Sequence, residues 1–228
     1  MPETQRNFIK EISTIIFDMD GLMLDTERLA QQAWQRAGDE LGYRIPDDVY
    51  LLAVGRTAAD TEREFTAALG ADFPFQAMYE RKQTYLYAAI DSDPIPTKQG
   101  LFPLLDRIDE LALAKAVATS TARTLALKKL TMSRLLDRFP VVVGGDEVKR
   151  GKPSPDIFLA TAARLGVEPA HCLVLEDSEA GIAAAHAAGM HGIMIPDLKE
   201  PSAQTLLLAD RVLPSLTALI PLLDELAE

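Results

Sequence analysis

Ser13-Thr14-Ile15-Ile16-Phe17-Asp18-Met19-Asp20-Gly21 decides the fold. Thr14 to Phe17 are β-branched or apolar and run straight into two aspartates and a glycine. That pattern reads as a buried strand ending in an acidic turn. Ala116 to Ala118, Val141 to Val143, Leu173 to Leu175 and Ile193 to Ile195 are similar short runs without polar alternation. Continuous apolar runs are typical of parallel strands covered on both faces. Helical patterns lie between them. Ser154-Pro155-Asp156 reads as an N-cap with proline at the first helical position, opening a helix to about Leu165. Ser178 reads as the cap of a further helix, which Gly189 ends. Strand and helix alternate from Gly100 onward, so the expected class is α/β, an open parallel sheet.

The segment 26–96 breaks this rhythm and holds no convincing strand. Leu29, Ala33, Trp34, Ala37 and Leu41 share one helical face, and so do Phe75, Met78, Tyr79 and Leu86. Asp91-Ser92-Asp93-Pro94-Ile95-Pro96 reads as a linker. The expected division is a core of residues 1–25 and 97–228 and a helical insertion of 26–96. A length of 228 residues suits one large domain carrying a smaller one.

Composition narrows the function. A net charge of −11 argues against a nucleic-acid partner, which calls for a basic patch. No run approaches the roughly 20 apolar residues of a membrane span, and Met1 to Lys10 lack the apolar stretch of a signal peptide. A cytoplasmic protein, monomeric by default, is the expectation. The single cysteine, Cys172, excludes an internal disulfide and reads as a small apolar residue opening a strand.

Taken alone, each polar group has an ordinary explanation. Asp18-Met19-Asp20-Gly21 fits an acidic turn, and it lacks the further oxygen ligands of a calcium loop. Glu176-Asp177 fits a helix first turn, Thr119 a helix cap, and Lys152 a solvated loop. Together they fit something else. Open α/β sheets bind ligands beyond the carboxyl ends of their strands. Asp18 and Asp20, Thr119, and Glu176 with Asp177 end three different runs. Carboxylates packed this way repel one another or take up protons. A hard divalent cation and Lys152 remove the conflict.

The sequence resembles the haloacid dehalogenase superfamily. Phe17-Asp18-Met19-Asp20-Gly21-Leu22-Met23-Leu24-Asp25-Thr26-Glu27 resembles its first motif and Val117-Ala118-Thr119-Ser120 its second. Gly151-Lys152-Pro153 is similar to the third, and Leu175-Glu176-Asp177-Ser178 with Gly181 to the fourth. The order is the family's, and the motifs cover nearly the whole chain. The resemblance implies a Rossmann-like core with an all-helical cap, as in the branch holding β-phosphoglucomutase and many small sugar-phosphate phosphatases. It implies that Asp18 is the nucleophile, forming an aspartyl phosphate, and that Asp20 is the acid and base. It implies that Thr119, Ser120 and Lys152 hold phosphate oxygens. It implies that Mg²⁺ is held by Asp18, the Asp20 carbonyl and Asp177, with Glu176 a second acidic partner nearby.

Gly55-Arg56-Thr57 resembles the cap loop that faces the active site in this branch, and Arg81-Lys82 a basic pair found there. Lys82 lies on an apolar stripe and either snorkels out or points into a polar cavity, with Arg56 under the same alternatives. Trp34 reads as cap core. The mutase branch usually carries a histidine on the first cap helix, and the matching position here is Ala30. A Mg²⁺-dependent phosphatase acting on a small phosphate monoester, a sugar or polyol phosphate, is therefore expected. A phosphosugar mutase is the alternative, and a non-catalytic interaction protein on the same fold is the second alternative.

Overall fold

The computed structural model describes residues 8–54, 56–92 and 95–226. Gly55 of the cap loop, Asp93 and Pro94 of the linker, and the first seven residues lie outside this set. The opening run forms β1 (Thr14–Phe17), buried throughout. Four helices follow: α1 (Thr26–Leu41), α2 (Asp47–Tyr50), α3 (Ala58–Leu69) and α4 (Phe75–Ser92). The described residues of 26–96 contain no strand. The alternating part begins with α5 (Leu101–Glu110), β2 (Ala114–Ala118), α6 (Arg123–Met132), β3 (Val141–Val143) and α7 (Asp156–Leu165). It continues with β4 (Cys172–Glu176), α8 (Glu179–Ala187), β5 (His191–Met194), α9 (Ala203–Leu208), β6 (Arg211–Val212) and α10 (Ile220–Asp224).

The six strands form one parallel sheet in the order β3-β2-β1-β4-β5-β6. The order reverses at β1, whose neighbours are β2 and β4, so the switch point lies at its carboxyl end. The apolar runs are continuous because both faces are covered. Ile15, Phe17, Val117, Leu173, Leu175 and Ile193 pack on one side with Leu104, Ile108 and Leu130 of α5 and α6. Ile16, Ala118, Val143, Cys172 and Val174 pack on the other with Ile157, Phe158, Ala184 and Ala185 of α7 and α8.

The inserted helices have a core of their own. Trp34 and Ala37 of α1 meet Phe65 of α3 and Phe75 and Met78 of α4, with Ile45 and Tyr50. Two chain crossings join this unit to the sheet. Asp25 N–H donates to the Pro96 carbonyl at 2.9 Å, and Lys98 N–H to the Met23 carbonyl at 2.8 Å. Lys98 Nζ also donates to Asp25 at 3.1 Å and Asp197 at 2.6 Å, binding both crossings to the loop after β5.

Three local expectations are corrected. Pro155, not Ser154, holds the N-cap of α7, and the Ser154 hydroxyl donates to the Asp156 carboxylate at 2.7 Å instead of accepting from the backbone. Asp91 and Ser92, read as linker, belong to the last turn of α4, where Asp91 pairs with Lys128 of α6 at 2.6 Å. Thr119 caps no helix, since α6 begins at Arg123; its hydroxyl accepts from the Thr121 N–H at 3.1 Å. Ser178 caps α8 as expected, accepting from Gly181 N–H at 3.1 Å.

Candidate active site

The sheet register builds the site. Phe17 pairs with Val117 on one side and Leu175 on the other, so Asp18, Ala118 and Glu176 stand one step further at a common level. Lys152, 1% exposed, reaches this level from the loop before α7. Its ammonium donates to Asp18 Oδ1 at 2.5 Å, to the Ala118 carbonyl at 3.2 Å and to Glu176 Oε1 at 2.5 Å. Three hydrogens thus meet one acceptor at the end of each of three adjacent strands. The other Glu176 oxygen accepts from the Ser178 N–H at 3.1 Å and hydroxyl at 2.8 Å. Gly181 leaves room for this carboxylate, which a Cβ there would overlap.

Asp18, Glu176 and Asp177 each offer a carboxylate oxygen, all within 4.8 Å of one another and all buried. One ammonium faces three carboxylates. Burial pushes the Asp18 carboxyl up to about 8, with Lys152 opposing and Glu176 adding to the rise. Burial, then Glu176 and Asp18, raise Asp177 well above the carboxylate range. Burial works against the Lys152 ammonium, yet Asp18 and Glu176 outweigh it and raise its pKa. Asp177 Oδ1 is buried without a hydrogen-bond donor among the described residues. Gly21, at φ 88°, passes so close to Asp177 that a Cβ would overlap its carboxylate. An orphaned oxygen beside excess negative charge fits a hard cation.

Asp20 is held separately. Its Oδ1 accepts from Lys129 Nζ at 2.6 Å and from the Thr26 hydroxyl, and its Oδ2 accepts from the Thr121 hydroxyl at 2.6 Å. Burial pushes its carboxyl up, but Lys129 and the two hydroxyl donors outweigh that and lower it. Asp18 and Asp20 therefore diverge, each with its own lysine.

A cavity of about 360 Å³ opens over both aspartates, Thr119 and Ser120 and is roofed by the inserted helices. Arg56 and Lys82 both line it. Arg56 also pairs with Glu64 at 3.4 Å. Lys82 Nζ stands 5.8 Å from the Trp34 ring and 5.5 Å from the Tyr79 ring. Burial, then Lys129, bring Lys82 down to about 8, with Glu27 and Asp20 opposing. Arg81 instead pairs with Glu40 on the exposed side of α4. Trp34 packs in the core of the inserted helices and lines the cavity as well, and Ala30 lines the same wall.

A sequence profile of haloacid dehalogenase-like hydrolases matches residues 15–195. The chain belongs to this family. Among similar proteins, CbbY of Rhodobacter capsulatus is 33% identical over 195 residues, covering 82% of this chain and 86% of that one. The phosphorylated carbohydrates phosphatase of Thermotoga maritima is 32% identical over 187 residues, covering 80% and 84%. The crystal structure of CbbY from Rhodobacter sphaeroides in complex with phosphate superposes with a TM-score of 0.77, at 27% identity, covering 93% of this chain and 99% of that one.

In this haloacid dehalogenase-like hydrolase several residues of the cavity lie outside the site residues expected from the four sequence motifs. Lys129 is 4% exposed and touches Asp20. Its signal was present: Leu125, Ala126, Lys129 and Leu130 form the buried face of α6, so a lysine sits on an apolar stripe. Glu27 and Tyr50 form a second polar pair in the wall, and burial, then Asp20, raise the Glu27 carboxyl. Tyr50 carries no periodic signal, because α2 spans only Asp47–Tyr50.

Proposed function

We propose that this chain is a Mg²⁺-dependent phosphatase that hydrolyses a small phosphate monoester, a sugar or polyol phosphate, through an aspartyl phosphate on Asp18. The observation that carries the reading is the separation of the two aspartates: Asp18 lies with Lys152 at the carboxylate cluster, and Asp20 lies with Lys129 at the cavity floor. One oxyacid is thereby set to attack and the other to move protons, the division that covalent catalysis with general acid–base help needs.

In the first half-reaction Asp20 takes up a proton as the negatively charged phosphate docks beside it, since a nearby like charge favours the neutral acid. An Asp18 oxygen then bonds to phosphorus, the bond from phosphorus to the leaving oxygen breaks, and Asp20 gives that oxygen its proton. In the second, a water oxygen bonds to phosphorus, the bond to Asp18 breaks, and Asp20 takes the water proton. Alcohol and inorganic phosphate leave. Lys152, Thr119 and Ser120 hold phosphate oxygens. Asp18, Asp177 and the Asp20 carbonyl would hold Mg²⁺, which supplies positive charge against the phosphoryl oxygens. Glu176 stands beside that set and anchors Lys152, since both its oxygens already accept hydrogen bonds. Residues 26–96 act as the cap, which excludes bulk water from the site, with Arg56 and Lys82 facing the leaving group. We read the protein as cytoplasmic; among the described residues no helix is long and apolar enough to cross a membrane.

A mutase must also return a proton to a sugar phosphate that turns round between transfers. Ala30, at the position of the mutase-branch histidine, offers no such group to the cavity. The test is phosphate release from a panel of sugar, polyol and nucleoside phosphates with Mg²⁺ and with EDTA. Release confined to the Mg²⁺ samples is the expected result. Interconversion of β-glucose 1-phosphate and glucose 6-phosphate without phosphate release would overturn hydrolysis in favour of the mutase.

A further inference from the structure

We propose that Lys129 is a positioning residue for the proton transfers: its ammonium, reaching from α6 beneath the cap, fixes the Asp20 carboxylate where the leaving-group oxygen arrives. The inference rests on the phosphatase reading above.

Lys129 sits on the buried face of α6, anchored by Leu125, Ala126 and Leu130, which pack into the sheet's core. The pair with Asp20 is the one ion pair it makes among the described residues. Asp20 itself lies beyond the end of β1, in the turn that leads into the cap. Two of its donors, Lys129 and Thr121, come from the core, while Thr26 is the first residue of α1. The core donors therefore keep a grip on Asp20 that does not depend on where the cap lies.

A packing role alone would not favour this arrangement. A buried ion pair is on average no more stabilising than well-packed apolar residues of the same volume. Leucine or methionine would complete the stripe of α6 without the cost of burying charge. The ammonium stands at the floor of the cavity, beside the carboxylate that must meet the reacting oxygen. Displacement of a catalytic group by about 1 Å costs on the order of a hundredfold in rate. The proton that moves is the one exchanged between Asp20 and the leaving oxygen, then between water and Asp20.

The test uses leaving-group dependence. An alkyl phosphate needs its leaving oxygen protonated, whereas p-nitrophenyl phosphate releases a stable phenolate and needs little help. The ratio kcat/KM reports steps up to departure of the leaving group, so slow release of phosphate from Asp18 does not mask it. Lys129→Met is expected to lower kcat/KM for the alkyl ester by about 10- to 100-fold and for the aryl ester by less than about threefold. Added to Asp20→Asn, it is expected to cost the alkyl ester nothing further. Equal losses on both esters, no loss on either, or a full additional loss in the Asp20→Asn background would overturn the role of Lys129 while leaving the phosphatase standing. A wild-type protein inert towards every ester would instead overturn the phosphatase reading, and this role with it. If Lys129→Met does not fold, Lys129→Ala, which also removes the hydrogen-bond donor, takes the same comparison.

Discussion

The Tyr50 hydroxyl stands 2.9 Å from a Glu27 carboxylate oxygen and 2.8 Å from the Glu27 carbonyl, which locks α2 onto the first turn of α1 at the cavity wall. Glu27 thereby presents an oriented acceptor to whatever enters beside Asp20. Hydrogen bonds to charged groups contribute about 1.5–3 kcal/mol. Glu27→Gln is expected to raise KM for polyol and sugar phosphates by about 10- to 100-fold, while p-nitrophenyl phosphate, which lacks neighbouring hydroxyls, changes little. Steady-state kinetics on both substrate types checks this. An equal rise for both would mean that Glu27 supports the fold of the wall and not the substrate.

Lys152 is the only cation hydrogen-bonded to Asp18 and Glu176 among the described residues. Removing it leaves two buried carboxylates against each other and against Asp177. Breaking a buried pair from one side costs about 3–5 kcal/mol. Lys152→Met should therefore lower the urea midpoint strongly at pH 8 in EDTA. The loss should shrink at pH 5, because carboxylates left unpaired take up protons in the folded state. A loss independent of pH would place the destabilisation in packing, for instance against the Phe158 ring that lies 5.1 Å from the ammonium.

The strands were legible in the sequence because both sheet faces are covered, which turns each into an unbroken apolar run. β6 was not, since Arg211 and Val212 are both exposed and carry no burial pattern. The end of α4 was obscured by the polar stretch from Asp91, which continues the helix and pairs with Lys128 with no local signal to announce it. In the site, residues at strand ends could be found by their place in the chain. Lys129 depends on a helix that swings back beneath the cap. The adjacent Lys128 is solvent-accessible, so two neighbouring lysines carry no local signal of which one is buried. Ser154 shows the same limit: a hydroxyl before a helix has two partners within reach, and here the Asp156 side chain wins over the backbone.

The loop that carries Lys152 is itself pinned by charge. Arg150 donates to both Asp156 oxygens, at 3.2 and 2.7 Å, and Ser154 adds a third bond at 2.7 Å. Arg150 first, then Ser154, hold the Asp156 carboxyl down at about 2, below the ordinary 3.8. A depressed acid contributes stability that is present above its unfolded pKa and lost as pH falls through the folded one. Asp156→Asn should thus lower the melting temperature at pH 7. The gap to wild type should close between about pH 4 and pH 2. A gap of constant size over that window, measured by circular dichroism, would show that the charge of Asp156 does not matter to the fold.

Trp34, the single tryptophan, makes the cap's stability separately measurable. Its ring lies 5.0 Å from that of Phe65 and 5.8 Å from that of Phe75, inside a cluster distinct from the two that cover the sheet. Deleting a buried phenyl group leaves a cavity the surroundings fill only in part, at a cost of about 3–5 kcal/mol. The cap has fewer buried apolar residues than the sheet's faces and two chain crossings to the core, so such a loss should fall on it locally. In Phe65→Ala the Trp34 emission should shift at lower urea than the far-ultraviolet circular dichroism of the whole chain, whereas wild type shows the two closer together. Turnover of a small ester should fall along the emission curve, because Lys82, Glu27 and Tyr50 reach the cavity only from the folded cap. Coincident emission and dichroism curves in the variant would mean that cap and sheet unfold as one unit, and the two crossings would then be a stiffer joint than their few hydrogen bonds suggest.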